Sequence, residues 1–167
     1  MPATYEPIAT TTLGSAASSI TFSSIPATYT DLRLVLVGSR ETAGSSDVLL
    51  RFNGTGGTAY SQTILYGDGS SAASARDTST SSINMTYFGV GLTTGLRMYT
   101  ADIFSYAGST NKTALVESNE DANGSGRVGR RVGLWRNTAA ITQVSVTVSS
   151  DNFAIGTVAT LYGIKAA

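Results

Sequence analysis

An all-β fold is what this sequence predicts: an antiparallel β-sandwich of jelly-roll type, with about ten strands in a single domain over residues 1–167. Three observations lead there. Apolar and polar residues alternate at period two from end to end, with no helical stripe between. Turn clusters break the runs at short, regular intervals: "NGTGG" at Asn53, "GDGSS" at Gly67, "AGSTN" at Ala107, "NEDANGSG" at Asn119 and "SSDN" at Ser149. The composition suits strands and turns, with Ser and Thr making up roughly a quarter of the chain alongside 18 Gly, 3 Pro and ample Val, Ile, Tyr and Phe. A hydrophobic share of 41% argues against reading the Ser/Thr load as disorder.

Each run justifies its own strand. In residues 31–37, Leu32, Leu34 and Leu36 share one face, while Arg33, Val35 and Val37 share the other. A strand apolar on both faces is covered twice or lies at an interface. Val48, Leu50 and Phe52 align next, then Ile83, Met85 and Tyr87, then Tyr99, Ala101 and Ile103 in the run 96–106. Residues 141–148 show the clearest pattern: Val144, Val146 and Val148 point inward, and Gln143, Ser145 and Thr147 face solvent. A last strand follows Thr157. Residues 70–82, "SSAASARDTSTSS", carry the weakest pattern and are expected to form a long surface loop, ordered by a partner.

Two zeros exclude much chemistry. The chain has no cysteine and no histidine, which removes disulfides, Cys/His zinc sites, Ser-His-Asp triads and Cys-His dyads. Eleven basic and eleven acidic side chains cancel, so no net field gathers the chain on nucleic acid. No apolar stretch approaches the roughly 20 residues of a membrane-spanning helix, and the start lacks the pattern of a signal peptide. The N-x-[ST] triplets at Asn53, Asn84, Asn111 and Asn123 then carry no glycosylation meaning.

The remaining candidates for chemistry each have an ordinary explanation beside them. Glu117, Asn119, Glu120, Asp121 and Asn123, before Gly124, offer oxygen ligands suited to calcium, but the spacing is not that of an EF-hand and a solvated turn accounts for them. A glycosidase pair needs two carboxylates, yet nearly all here sit at turns or strand ends. "GTGGT" after Asn53 lacks the ending of a phosphate loop. Trp135 reads as a core residue, with a contact anchor as the alternative. Arg127, Arg130, Arg131 and Arg136 form the only basic concentration. They read either as a docking surface for an acidic partner or as a charged strand edge that discourages aggregation. The 70–82 segment, with Arg76 and Asp77, is the second interface candidate. No cofactor, catalytic residue or metal is assigned.

Several stretches together carry a resemblance: "YEPIATTTLGSAASSITFSSIPATYTDLRLVLVG" from Tyr5, "LLRFNG" at Leu49, "ILYGDGSS" at Ile64, "VGLWRNTAAIT" at Val132 and "ATLYGIKAA" at Ala159. In this order and spacing the chain resembles a family of small virion structural proteins of tailed bacteriophages, especially those infecting cyanobacteria. Residues 70–82 and 107–126 match least. The resemblance implies a β-sandwich without catalysis, assembled in the host cytoplasm and carried on the virion exterior. Its members are capsid decoration (cement) proteins or tail-fibre heads. The expectation is therefore a cement protein that binds the major capsid protein or another virion protein, as a symmetric homo-oligomer, trimer or dimer. A receptor-binding fibre head recognising a surface glycan is the runner-up, and a polysaccharide depolymerase a distant third. Neither nucleic acid nor membrane is an expected partner.

Overall fold

A computed structural model describes residues 4–86, 91–120, 124 and 126–165 of the 167. Among them are twelve strands and no helix: β1 (Tyr5–Thr12), β2 (Ser19–Phe22), β3 (Asp31–Gly38), β4 (Val48–Phe52), β5 (Tyr60–Gly67), β6 (Ala72–Thr80), β7 (Ile83–Asn84), β8 (Arg97–Phe104), β9 (Lys112–Glu120), β10 (Arg127–Trp135), β11 (Val144–Val148) and β12 (Val158–Ile164). They form two antiparallel sheets. The large one has the order β1-β12-β3-β8-β9-β10-β5-β6, and the small one β2-β11-β4-β7.

The jelly-roll expectation can be checked strand by strand. A jelly roll of eight strands pairs first-eighth-third-sixth in one sheet and second-seventh-fourth-fifth in the other. Setting aside β1, β12, β8 and β9 leaves β2-β11-β4-β7 and β3-β10-β5-β6, which is that order. The β8–β9 hairpin is inserted between β3 and β10, and the β1–β12 pair extends the same sheet beyond β3. All four additions widen one sheet only, so the eight strands of the jelly roll become twelve, where about ten were expected, and the layers become unequal.

The alternation of each strand decides what lies between the sheets. Leu32, Leu34 and Leu36 of β3, Ala101 and Ile103 of β8, and Leu161 of β12 project inward from the large sheet. Val48, Leu50 and Phe52 of β4, with Val144 and Val146 of β11, meet them from the small one. Trp135 is fully buried, as the core reading expected, with ring centroids 5.6 Å from Phe52 and 6.4 Å from Tyr60. Burying so large a ring is worth several ordinary apolar contacts. The Tyr60 hydroxyl accepts from the Phe52 amide at 2.9 Å and donates to the Thr55 carbonyl at 3.3 Å, so its polar end is satisfied.

Two glycines make room for cross-layer contacts. Ile83 lies over Gly133, where an added Cβ would stand 2.6 Å from the isoleucine Cδ1. The ring of Tyr29 occupies the same kind of space over Gly163.

The expectation of a loop at residues 70–82 is corrected: β6 occupies most of it, paired with β5 from Gly67↔Ala72 to Tyr60↔Thr80. Ala73 and Ala75 face inward and are only half-buried at the edge of the sheet. An edge strand with half a core to cover does not need Val or Ile, so its pattern reads weakly. Both edges of the large sheet are interrupted. The register slips between Pro7 and Ala9 in β1, and Ser79 in β6 has a positive φ of 59° beside a slip in pairing.

Candidate functional site

The two sheets turn chemically different outer faces to their surroundings. On the small sheet the outward residues are Ser19 and Thr21 of β2, Ser145 and Thr147 of β11, Leu49 and Arg51 of β4, and Asn84 of β7. Hydroxyls dominate, and Arg51 donates to the Ser81 carbonyl at 3.2 Å. On the large sheet the outward phase of the central strands brings up Met98 and Phe104 of β8, Leu115 of β9, Val128, Val132 and Leu134 of β10, and Leu65 of β5. Leu65 and Val128 are each 62% exposed, and Val132 49%. No described residue forms a layer over this face. A run of apolar side chains this open is the kind of patch that marks a contact.

Four charged groups on that face form two ion pairs. Arg130 and Glu117 stand opposite in the β9–β10 ladder and form an ion pair. Arg33 and Asp102 do the same across β3–β8 at 3.6 Å. Partial burial lifts the Asp102 carboxyl above its ordinary range, against the pull of Arg33. Beside these pairs is an open apolar hollow of about 310 Å³ lined by Leu65, Tyr66, Gly67, Ala72, Val128 and Arg130. The small side chains at Gly67 and Ala72, register partners across β5–β6, create it.

The structure distributes the six interface residues read from the sequence rather than gathering them. Arg130 and Arg76 face outward on the large sheet, Arg76 opposite Thr63. Arg127 begins β10, half-buried, opposite Glu120. Arg136 follows β10 and donates to the Thr58 and Tyr60 carbonyls, the latter at 3.1 Å. Arg131 points inward and is 5% exposed; its Nε and Nη1 have no hydrogen-bond partner among the described residues. Burial pulls its guanidinium down to about 10, opposed by the charges of Asp77 and Asp47. Asp77 lies on the same side and accepts from Gln62 Nε2 at 2.8 Å. Arg131 is thus an interior residue, as is Gln62, which also receives the Asn84 amide at 2.9 Å, whereas Asp77 stays exposed on the edge strand β6.

Other chemistry-bearing groups are accounted for locally. Glu117 is in its ion pair; Asp121 and Asn123 of the calcium candidate, like Tyr87, lie outside the described residues. Among the described residues no three carboxylates gather as a metal would require. Lys112 is fully buried, and its ammonium donates to the carbonyls of Gly108, Thr110 and Thr138, closing the β8–β9 turn. Burial lowers its pKa. No described helix is long and apolar enough to cross a membrane.

The sequence reading named the arginines of β10 and passed over the valines between them. The signal was there: "RVGRRVGLW" places Val128, Arg130, Val132 and Leu134 on one phase and Gly129, Arg131, Gly133 and Trp135 on the other. Comparison of the chain with family models, with curated proteins and with solved structures gives no match in any of the three.

Proposed function

We propose that this chain is a non-enzymatic structural protein of a bacteriophage virion, a capsid decoration (cement) protein on the outside of the assembled shell. The observation that carries the reading is the difference between the two outer faces: a wide face rich in exposed apolar side chains, backed by a narrow face of hydroxyls. Such a domain has one side suited to assembly and one suited to water. The mechanism is mass action. A protein that binds only the assembled shell lowers the free energy of that shell relative to its dissociated subunits.

The test is the number of copies per purified particle, measured by quantitative mass spectrometry. A fixed high ratio to the coat protein is expected, with particles lacking the chain losing their contents at lower temperature. A few copies confined to the tail would transfer the chain to a fibre, and absence from the particle would end the virion reading.

A further inference from the structure

We infer that Asn53–Gly54 is a modification site, a deamidation site that the folded chain keeps closed, and that conversion there permanently releases the loop between β10 and β11. The site belongs to the isolated chain and does not depend on the virion reading.

The reactive pair comes from the sequence. Glycine has no side chain to keep its amide nitrogen away from a neighbouring carbonyl carbon, so Asn before Gly is open to attack by its own backbone. The chain has two such pairs, Asn53–Gly54 and Asn123–Gly124. In the reaction the Gly54 nitrogen attacks Cγ of Asn53. A new N–C bond forms, the side-chain nitrogen and the amide proton leave as ammonia, and a cyclic imide remains. Water then opens the imide at either carbonyl, giving aspartate or an isoaspartyl linkage. One water enters and one ammonia leaves, with no oxidation or reduction.

The fold holds both reacting groups away from ring closure. Asn53 and Gly54 are the central pair of a turn, with φ of 50° and 64°, and the Thr55 amide closes it on the Phe52 carbonyl at 2.9 Å. The imide ring contains the Asn53 Cα–C bond, so closing the ring twists that bond out of the turn. The side chain is held as firmly. Its Oδ1 accepts from the amides of Thr142 at 2.9 Å and Gln143 at 3.0 Å, and its Nδ2 donates to the Ala140 carbonyl at 2.8 Å. The Asn53 amide donates to the Gln143 carbonyl at 3.0 Å. Together these bonds tie the end of β4 to the loop that carries the chain from β10 in the large sheet to β11 in the small one. Ile141 of that loop is buried, and its amide donates to the Tyr106 carbonyl at 2.9 Å.

Neither product can rebuild the clamp. Aspartate has no donor for the Ala140 carbonyl and sets a carboxylate oxygen against it. The isoaspartyl form adds a carbon to the backbone inside the turn. A transient opening of this end of the sandwich is thereby made lasting.

Peptide mapping by mass spectrometry tests the site on the wild-type chain, held in mildly alkaline buffer with and without urea. In urea Asn53 should convert as fast as Asn123, which serves as the reference for an unfolded Asn-Gly pair. In buffer alone Asn53 should convert at least about tenfold more slowly than in urea, because reaction waits on local opening. The converted chain, returned to buffer, should exchange the amides of Thr55 and Thr142 at least about tenfold faster than the unconverted chain. Equal rates at Asn53 in buffer and in urea overturn the closure, no conversion at Asn53 in urea overturns the site, and unchanged exchange in the refolded product overturns the release. Each of these results leaves the copies-per-particle measurement standing.

Discussion

Thr147 on the small sheet and Val132 on the large one occupy equivalent situations, an outward position on a strand with a buried phase beneath it. Around Thr147 the neighbours are Ser19 and Leu49; around Val132 they are Leu115 and Thr63. The small face is dressed for water. The large face spends apolar side chains where water would reach them, which folding of the isolated chain does not require. Stability then resides in the layer between the sheets, and the large outer face adds little to it.

The strongest way to break this contrast is to compare neighbours on β10. Trp135→Ala removes a fully buried ring and should cost about 3–5 kcal/mol, read from urea denaturation. Val132→Thr, at 49% exposure, should change stability by less than about 0.5 kcal/mol. Equal losses in the two variants would mean that the outer face supports the monomer, and the contrast would fail.

Gly133→Ala sharpens the claim about the inner layer. The new methyl would stand 2.6 Å from Ile83 Cδ1, so the Ile83 side chain or β7 itself must shift. Overpacking of this kind costs about 1–3 kcal/mol, more than the smaller gain from restricting the unfolded chain. A stabilised variant would show that β7 is loosely held. Arg131→Met comes next. Its buried guanidinium leaves Nε and Nη1 without hydrogen-bond partners among the described residues, so a flexible apolar replacement should leave stability unchanged or raise it by about 1 kcal/mol. A loss of several kcal/mol would instead make the buried arginine an essential part of the fold.

How much of this was legible depends on what each residue had to cover. β3, β4 and β11 bury Leu, Val and Phe on one phase, and the period-two reading found them because deep burial demands large side chains. β6 was missed because Ala73 and Ala75 cover only an edge, and small residues among Ser and Thr look like loop. The eight-and-four division was beyond reach for another reason. Alternation says that a strand has a covered side but not which sheet covers it, and the β8–β9 insertion between β3 and β10 is a long-range choice. The apolar outer face was half visible. Val35 and Val37 suggested a second covered side on β3, but the arginines of β10 drew attention away from Val128 and Val132. An inward arginine such as Arg131 has no signature in a single sequence, since arginine in a strand ordinarily reads as solvated.

The smallest expected effect concerns the edge of the large face. Asp68 sits in the β5–β6 turn, where its Oδ1 accepts from the amides of Ser70 at 3.0 Å and Ser71 at 2.8 Å. These amides, followed by the serine hydroxyls, favour the charged carboxylate and hold its pKa at about 2, below the ordinary 3.8. The folded pKa is depressed, so the stabilisation is fully present above pH 3.8 and is lost as pH falls through about 2. Carbon-detected NMR titration should find that midpoint. Asp68→Ala at neutral pH should speed hydrogen exchange at Ser70, Ser71 and the first residues of β6 without moving the global unfolding transition. A fall in global stability like that of Trp135→Ala would mean that β6 folds as one unit with the core, and that the large face cannot be loosened at its edge without losing the sandwich beneath it.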